Sequence, residues 1–137
     1  MNLISVTQAL EPFTDFSNIP PHVLEHAAWR GTEVHKICAG IARGLWAPAP
    51  SQELAGRIQS FKRWFSATVE KVVFVEREFI CTCYGYIGHP DLGVIIRGDR
   101  GITVIDLKTP IIEGSTWRGQ LAAYRHLVEC CEAPVER

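Results

Sequence analysis

The stretch Gly88 to Thr109, GHPDLGVIIRGDRGITVIDLKT, places three charged groups where a β hairpin closes: Asp91 at its start, Asp106 and Lys108 at its end. In an extended chain, residues i and i+2 project to one face. The Asp106 carboxylate and the Lys108 ammonium therefore stand side by side, with Asp91 on the neighbouring strand. Two carboxylates from adjacent strands supply part of a shell for a hard divalent cation, which takes oxygen ligands and keeps several waters. The Leu107 carbonyl offers a further oxygen. Lys108 is then placed to position or help deprotonate a metal-bound water, or to hold charge developing on a phosphate. The plainer reading of Asp106 and Lys108 is a solvated ion pair at a strand end, worth only about 0–1 kcal/mol.

These groups depend on elements that can be read from periodicity. Residues 1–21, with Pro12, Pro20 and Pro21, read as an extended or loosely turned lead-in. Val23, Ala27, Val34, Ile37, Cys38 and Ile41 predict a helix from His22 to about Arg43, with Gly31 as an interruption or boundary. Leu54, Ile58, Phe61, Trp64 and Phe65 predict a second helix from Ser51 to Val69. The period then changes to two: Lys71 to Tyr84 reads as a strand, Asp91 to Arg97 as the next, and Gly98-Asp99-Arg100-Gly101 as a hairpin turn into a strand from Ile102 to Lys108. Ser115 to about Glu132 returns to helix, where Gln120 and Tyr124, four apart, share a face. Helix, helix, three antiparallel strands and helix make an α+β or mixed α/β arrangement.

Composition narrows the options. A chain of 137 residues, 47% hydrophobic and 21% charged, can fill the core of one domain. No apolar run approaches the roughly 18 residues of a membrane span, and Met1 to Thr7 lacks the basic start and apolar centre of a signal peptide, so a cytoplasmic protein without a membrane partner is expected. Residues 1–71 carry seven basic and six acidic groups, and 72–137 carry seven and nine, for a net charge of -1. That balance argues against a broad nucleic-acid-binding surface; any such contact is local. The five cysteines, Cys38, Cys81, Cys83, Cys130 and Cys131, have poor zinc spacing and read as small core residues. Trp29, Trp46, Trp64 and Trp117 are candidates for stacking on unpaired bases, with core packing the better reading of Trp64.

Four motifs follow in one order: Arg30-Gly31-Thr32-Glu33-Val34-His35, Gly88-His89-Pro90-Asp91, Val104-Ile105-Asp106-Leu107-Lys108-Thr109, and Gln120-Leu121-Ala122-Ala123-Tyr124. The order resembles the PD-(D/E)xK nuclease superfamily in its RecB-like branch, which includes lambda-exonuclease-like phage enzymes and CRISPR-associated RecB-like nucleases. Each motif alone is weak, since D-x-K arises by chance. Four in sequence, over about residues 5–130, are more specific.

The resemblance implies a single nuclease-like domain over residues 1–137 with a restriction-endonuclease-like α/β core, a central mixed sheet with an antiparallel hairpin flanked by helices. It implies a metal-dependent deoxyribonuclease, an exonuclease before an endonuclease, that hydrolyses phosphodiester bonds through a metal-activated water. His35, Asp91 and Asp106 would be ligands of Mg2+ or Mn2+ with the Leu107 carbonyl assisting, and Lys108 would be the catalytic lysine; an imidazole ligand admits manganese beside magnesium. Gln120 and Tyr124 would face the site and orient Lys108, the scissile phosphate or DNA. Arg30, Lys36 and Arg43 flank His35 as DNA-binding candidates. The family often has a glutamate near Glu76 and Glu78, which share a face of the expected strand; the sequence does not choose between them. The cysteines do not follow the one-plus-three arrangement of relatives with an iron–sulfur cluster, and none is expected. The chain ends about a dozen residues after Tyr124, where relatives usually continue, so it reads as a minimal enzyme, a C-terminally truncated piece or a subunit completed in a homo-oligomer. DNA is the expected partner, and a bacterial or phage origin is implied. Two other readings stay open: a nuclease-fold module that binds nucleic acid or assembles without turnover, and an unrelated α+β domain with an incidental Asp106–Lys108 pair.

Overall fold

The structure, a computed structural model, describes residues 2–110, 112–132 and 135–137. It is a mixed α/β fold. β1 (Ile4–Ser5) leads into α1 (Val6–Leu10) and a single 3-10 turn (Glu11–Phe13); α2 (Pro21–Ala42) and α3 (Gln52–Thr68) precede β2 (Val69–Val75), β3 (Phe79–Cys81), β4 (Tyr86–Gly88), β5 (Leu92–Ile96) and β6 (Thr103–Ile105), and α4 (Trp117–Cys131) follows. The strands form two three-stranded sheets: β2-β5-β6, antiparallel throughout, and β1-β4-β3, in which β1 runs parallel to β4.

Several expectations need correction. The lead-in is extended at β1 and turned over 14–20, but it also holds an unexpected helix: Ser5 and Gln8 form a reciprocal capping box that starts α1, a pattern legible as S-x-x-Q. Gly31 does not interrupt α2, which begins on Pro21, a residue suited to the first helical turn. The expected strand over 71–84 is two strands in different sheets, because Glu76 turns the chain with φ of 49°. Glu76 and Glu78 therefore do not share a strand face. The last strand stops at Ile105 rather than Lys108, because the Leu107 amide donates to Asp91 Oδ2 at 2.6 Å instead of continuing the ladder. In place of one central mixed sheet there are two small ones.

Two apolar clusters hold the layers together. Val34, Cys38 and Ala42 of α2 pack with Leu54, Ile58 and Phe61 of α3 against Val69, Leu92 and Val94 of the sheet. Tyr124, Leu127 and Val128 of α4 pack with Val6, Phe74, Phe79, Cys81 and Val104. Fully burying one such aliphatic side chain stabilises by roughly 1.5–3 kcal/mol. Trp64 packs against the first of these clusters, as expected, whereas Trp29 and Trp46 are exposed. The cysteines divide: Cys38 and Cys81 are buried as expected, but Cys83, Cys130 and Cys131 are exposed. Cys130 and Cys131 lie in the last turn of α4, beyond the buried Leu127 and Val128. The free edge of β6 is covered by the chain end, where the Val104 amide donates to the Arg137 carbonyl at 2.8 Å and the Arg137 guanidinium grips Asp99 at 2.7 Å. Among the described residues, no helix is long and apolar enough to cross a membrane.

Candidate active site

The hairpin sets the first contact. Its register pairs Leu92 with Ile105 and Gly93 with Val104, and one step outward on that register lie Asp91 and Asp106. Both carboxylates are withdrawn from water, their side chains 13% and 6% exposed. Asp91 Oδ2 accepts from the Leu107 amide, and its backbone carbonyl accepts from Glu76 at 2.8 Å. Asp106 meets Lys108 Nζ at 2.6 Å. Burial pushes the Asp106 carboxyl above the usual carboxylate range and nearby Asp91 adds to the shift, while Lys108 opposes it. Two desolvated carboxylates side by side are costly in an apolar fold, and the cost is offset here by the cationic partners that each one meets.

α2 brings His35 to the pair. Its Nδ1 lies 3.1 Å from Asp91 Oδ1 and its Nε2 lies 2.8 Å from the Leu107 carbonyl oxygen. Both partners accept, so the ring donates from both nitrogens and is an imidazolium. The hydrogen bond to Asp91 is the main cause of the raised His35 pKa, with the Leu107 carbonyl and Asp106 adding to it against burial. The protonated ring thus engages two of the expected ligands, Asp91 and the Leu107 carbonyl. One atom each from His35, Asp91 and Asp106 does not meet within 4.8 Å, a separation that among the described residues only Cys81, His126 and Cys130 satisfy.

α4 supplies the other wall. Lys108 Nζ donates to Gln120 Oε1 at 2.8 Å, and Gln120 Nε2 donates to the Tyr124 hydroxyl at 3.1 Å. Gln120 and Tyr124 are buried on the core face of α4. Tyr124 is thus neither a solvent residue nor simple packing: it fixes the amide orientation that presents an oxygen to the ammonium. Lys108 also sits 5.8 Å from the centre of the Trp117 ring, a cation–π contact. Gly88 lets α4 approach, since a Cβ there would lie 2.7 Å from Leu127 Cδ1 and 2.8 Å from Tyr124 Cε1.

Beside His35 opens a cleft of about 500 Å³ lined by Gly31, Thr32, His35, Lys36, Ala39, Arg43 and Glu76. Gly31, His35 and Ala39 recur every four residues on one face of α2, and the small residues on either side leave the imidazole accessible. Lys36 and Arg43 reach this cleft; Arg43 also pairs with Glu76 at 3.3 Å. Arg30 does not line it, and its Nε is buried without a hydrogen-bond partner. Glu76 is the glutamate nearer the site, while Glu78 pairs with His89 at 2.9 Å.

Sequence reasoning missed two positioning contacts. Arg57 of α3 donates from Nε to the Thr109 carbonyl at 3.2 Å and anchors the segment after Lys108. Trp117, a candidate for stacking on bases, instead has the Lys108 ammonium over its ring. No periodicity signals either contact, because each joins two elements. The chain matches no protein-family model and no curated protein.

Proposed function

We propose that the protein is a metal-dependent deoxyribonuclease of the PD-(D/E)xK, RecB-like type, built on a restriction-endonuclease-like core and closer to an exonuclease than an endonuclease. One observation carries the reading: Asp91 and Asp106, two buried carboxylates, adjoin an imidazole and a lysine, and that lysine is held by a Gln–Tyr pair. The donor set suits Mg2+ or Mn2+: two carboxylates, the Leu107 carbonyl and, once deprotonated, His35. The chemical character of these donors, hard oxygens with one imidazole, supports that fit, and a bound ion would take over from Lys108 and the His35 proton in balancing the two carboxylates. When bound, such an ion supplies Lewis-acid stabilisation of a phosphoryl oxygen and a water acidic enough to act near neutral pH.

The remaining roles belong to the chain. To hold such an ion, His35 would give a ring proton to solvent and free Asp91 and the Leu107 carbonyl as ligands. Lys108, held by Asp106 and Gln120, presents positive charge where a phosphate develops negative charge. Tyr124 holds Gln120, and Trp117 limits the swing of the ammonium. Lys36 and Arg43 receive backbone phosphates along the cleft.

Cleavage of linear and circular DNA in magnesium, manganese or EDTA tests the proposal. Metal-dependent cutting that is lost in both Asp106→Ala and Lys108→Ala supports it, and cutting of linear DNA alone supports the exonuclease form. A second reading, a DNA-binding module without turnover, is favoured by the engagement of Lys108 and His35 with the very groups that would act. Binding without cutting in any divalent ion selects it.

A further inference from the structure

The far end of α4 and the edge of the β1-β4-β3 sheet bring together soft ligands for which the proposed hydrolytic site has no use. Cys81 ends β3 and is buried. His126 and Cys130 stand four residues apart on α4, so they rise from one helix face. The Cys81 and Cys130 sulfurs and a ring nitrogen of His126 all lie within 4.8 Å of one another, and Cys130 Sγ is 3.4 Å from His126 Nε2. Tetrahedral ligands at about 2.3 Å for sulfur and about 2.0–2.1 Å for nitrogen define an S···N edge of about 3.6 Å. The pair is therefore already spaced almost as a shared ion would hold it.

Tyr86 sets the tautomer that such a site requires. Its hydroxyl oxygen is 2.6 Å from His126 Nδ1 and 3.2 Å from the Ala123 carbonyl oxygen. A carbonyl can only accept, so the phenol hydrogen goes to Ala123 and Nδ1–H donates to the phenol oxygen. His126 Nε2 is left with a lone pair, and it is Nε2 that faces Cys130. A ligating histidine held through its second nitrogen is the usual outer-shell arrangement of metal centres.

We propose that Cys81, His126 and Cys130 form a site for a thiolate-preferring divalent cation, zinc by the chemistry of its ligands, that clamps the last turns of α4 to the β3–β4 sheet. Cys83, two residues after Cys81 in the turn that follows β3, and Cys131, next to Cys130, are both exposed; one of them or a water completes the tetrahedron. The ligand set is opposite in character to the carboxylates around Asp106, and it serves anchorage rather than hydrolysis. The clamp holds the helix that also carries Gln120 and Tyr124.

Cobalt(II), titrated without oxygen into the phosphine-reduced full chain, tests the site through thiolate-to-cobalt charge-transfer and tetrahedral ligand-field absorption. One thiolate-bound, zinc-displaceable ion per chain, counted from the charge-transfer band, is expected in the wild type and equally in His35→Ala and Asp106→Asn, which separates this site from the proposed hydrolytic one. Affinity is expected to fall at least 10-fold in Cys130→Ser and in His126→Gln, neither of which opens the core, and by about 10–100-fold in Tyr86→Phe, which keeps the ring but not the hydroxyl. Zinc is expected to raise the Tm of the wild type but not of Cys130→Ser. Absence of the charge-transfer band from the wild type, or a band of unchanged affinity in both Cys130→Ser and His126→Gln, overturns the proposal.

Discussion

Asp106 is the residue at which folding and the proposed chemistry oppose each other. Its folded-state pKa lies above the ordinary value, chiefly through burial. A group shifted in that direction contributes its full stability below the unfolded pKa and loses it as pH rises through the folded one. At neutral pH, in the ion-free protein, the ionised carboxylate therefore costs stability despite Lys108. Asp106→Asn is expected to stabilise the protein in EDTA at pH 7 by about 0.5–2 kcal/mol, in the manner of substitutions that trade function for stability, while abolishing cleavage. The advantage should shrink as the pH falls through the raised folded-state pKa, where the wild-type carboxyl takes up its own proton. Urea midpoints across that range check the sign: a destabilised variant at pH 7 would mean that the pairing with Lys108 outweighs burial.

At the scale of elements, the site is an agreement between a hairpin and two helices that are remote in sequence. The hairpin register was legible, because an antiparallel ladder with one buried face cannot slip by one residue without inverting its side chains. That fixes Asp91 near Asp106. The approach of α4 is fixed differently, by the missing side chain at Gly88. Gly88→Ala forces its Cβ against Leu127 and Tyr124; overpacking of this kind costs typically about 1–3 kcal/mol. Because Tyr124 must give way, kcat in the folded fraction is expected to fall more than KM rises. Denaturant melts and saturation kinetics on the same preparation separate the two effects, and a variant with normal kcat would show that Tyr124 does not position Gln120 and Lys108.

For the whole molecule, a net charge of -1 means that the proposed DNA binding would have to draw on few cations rather than a basic surface. Each phosphate neutralised on duplex DNA contributes about -0.9 to the slope of log K against log salt. Lys36→Ala and Arg43→Ala, both at the cleft beside His35, are each expected to reduce the magnitude of that slope by about one with little change in sequence preference. Binding titrations with catalysis blocked in calcium or EDTA measure it; an unaltered slope in both variants removes the cleft from the DNA path.

The sequence by itself determined what depends on neighbours along the chain: the amphipathic periods of α2, α3 and α4, the hairpin around Gly98-Asp99, and the shared helix face of Gln120 and Tyr124. It misplaced the strand over 71–84, since the turn at Glu76 is made by a residue with no special turn preference, and it ended β6 too late, since the Asp91 carboxylate captures the Leu107 amide. Only the tertiary structure decided that His35 meets Asp91 across 56 positions, that Lys108 bridges Asp106 and Gln120, and that Cys81 meets His126 and Cys130. Spacing governs which face of an element a residue occupies. Which faces meet is a property of how apolar surfaces pack, and that is settled between elements rather than within them.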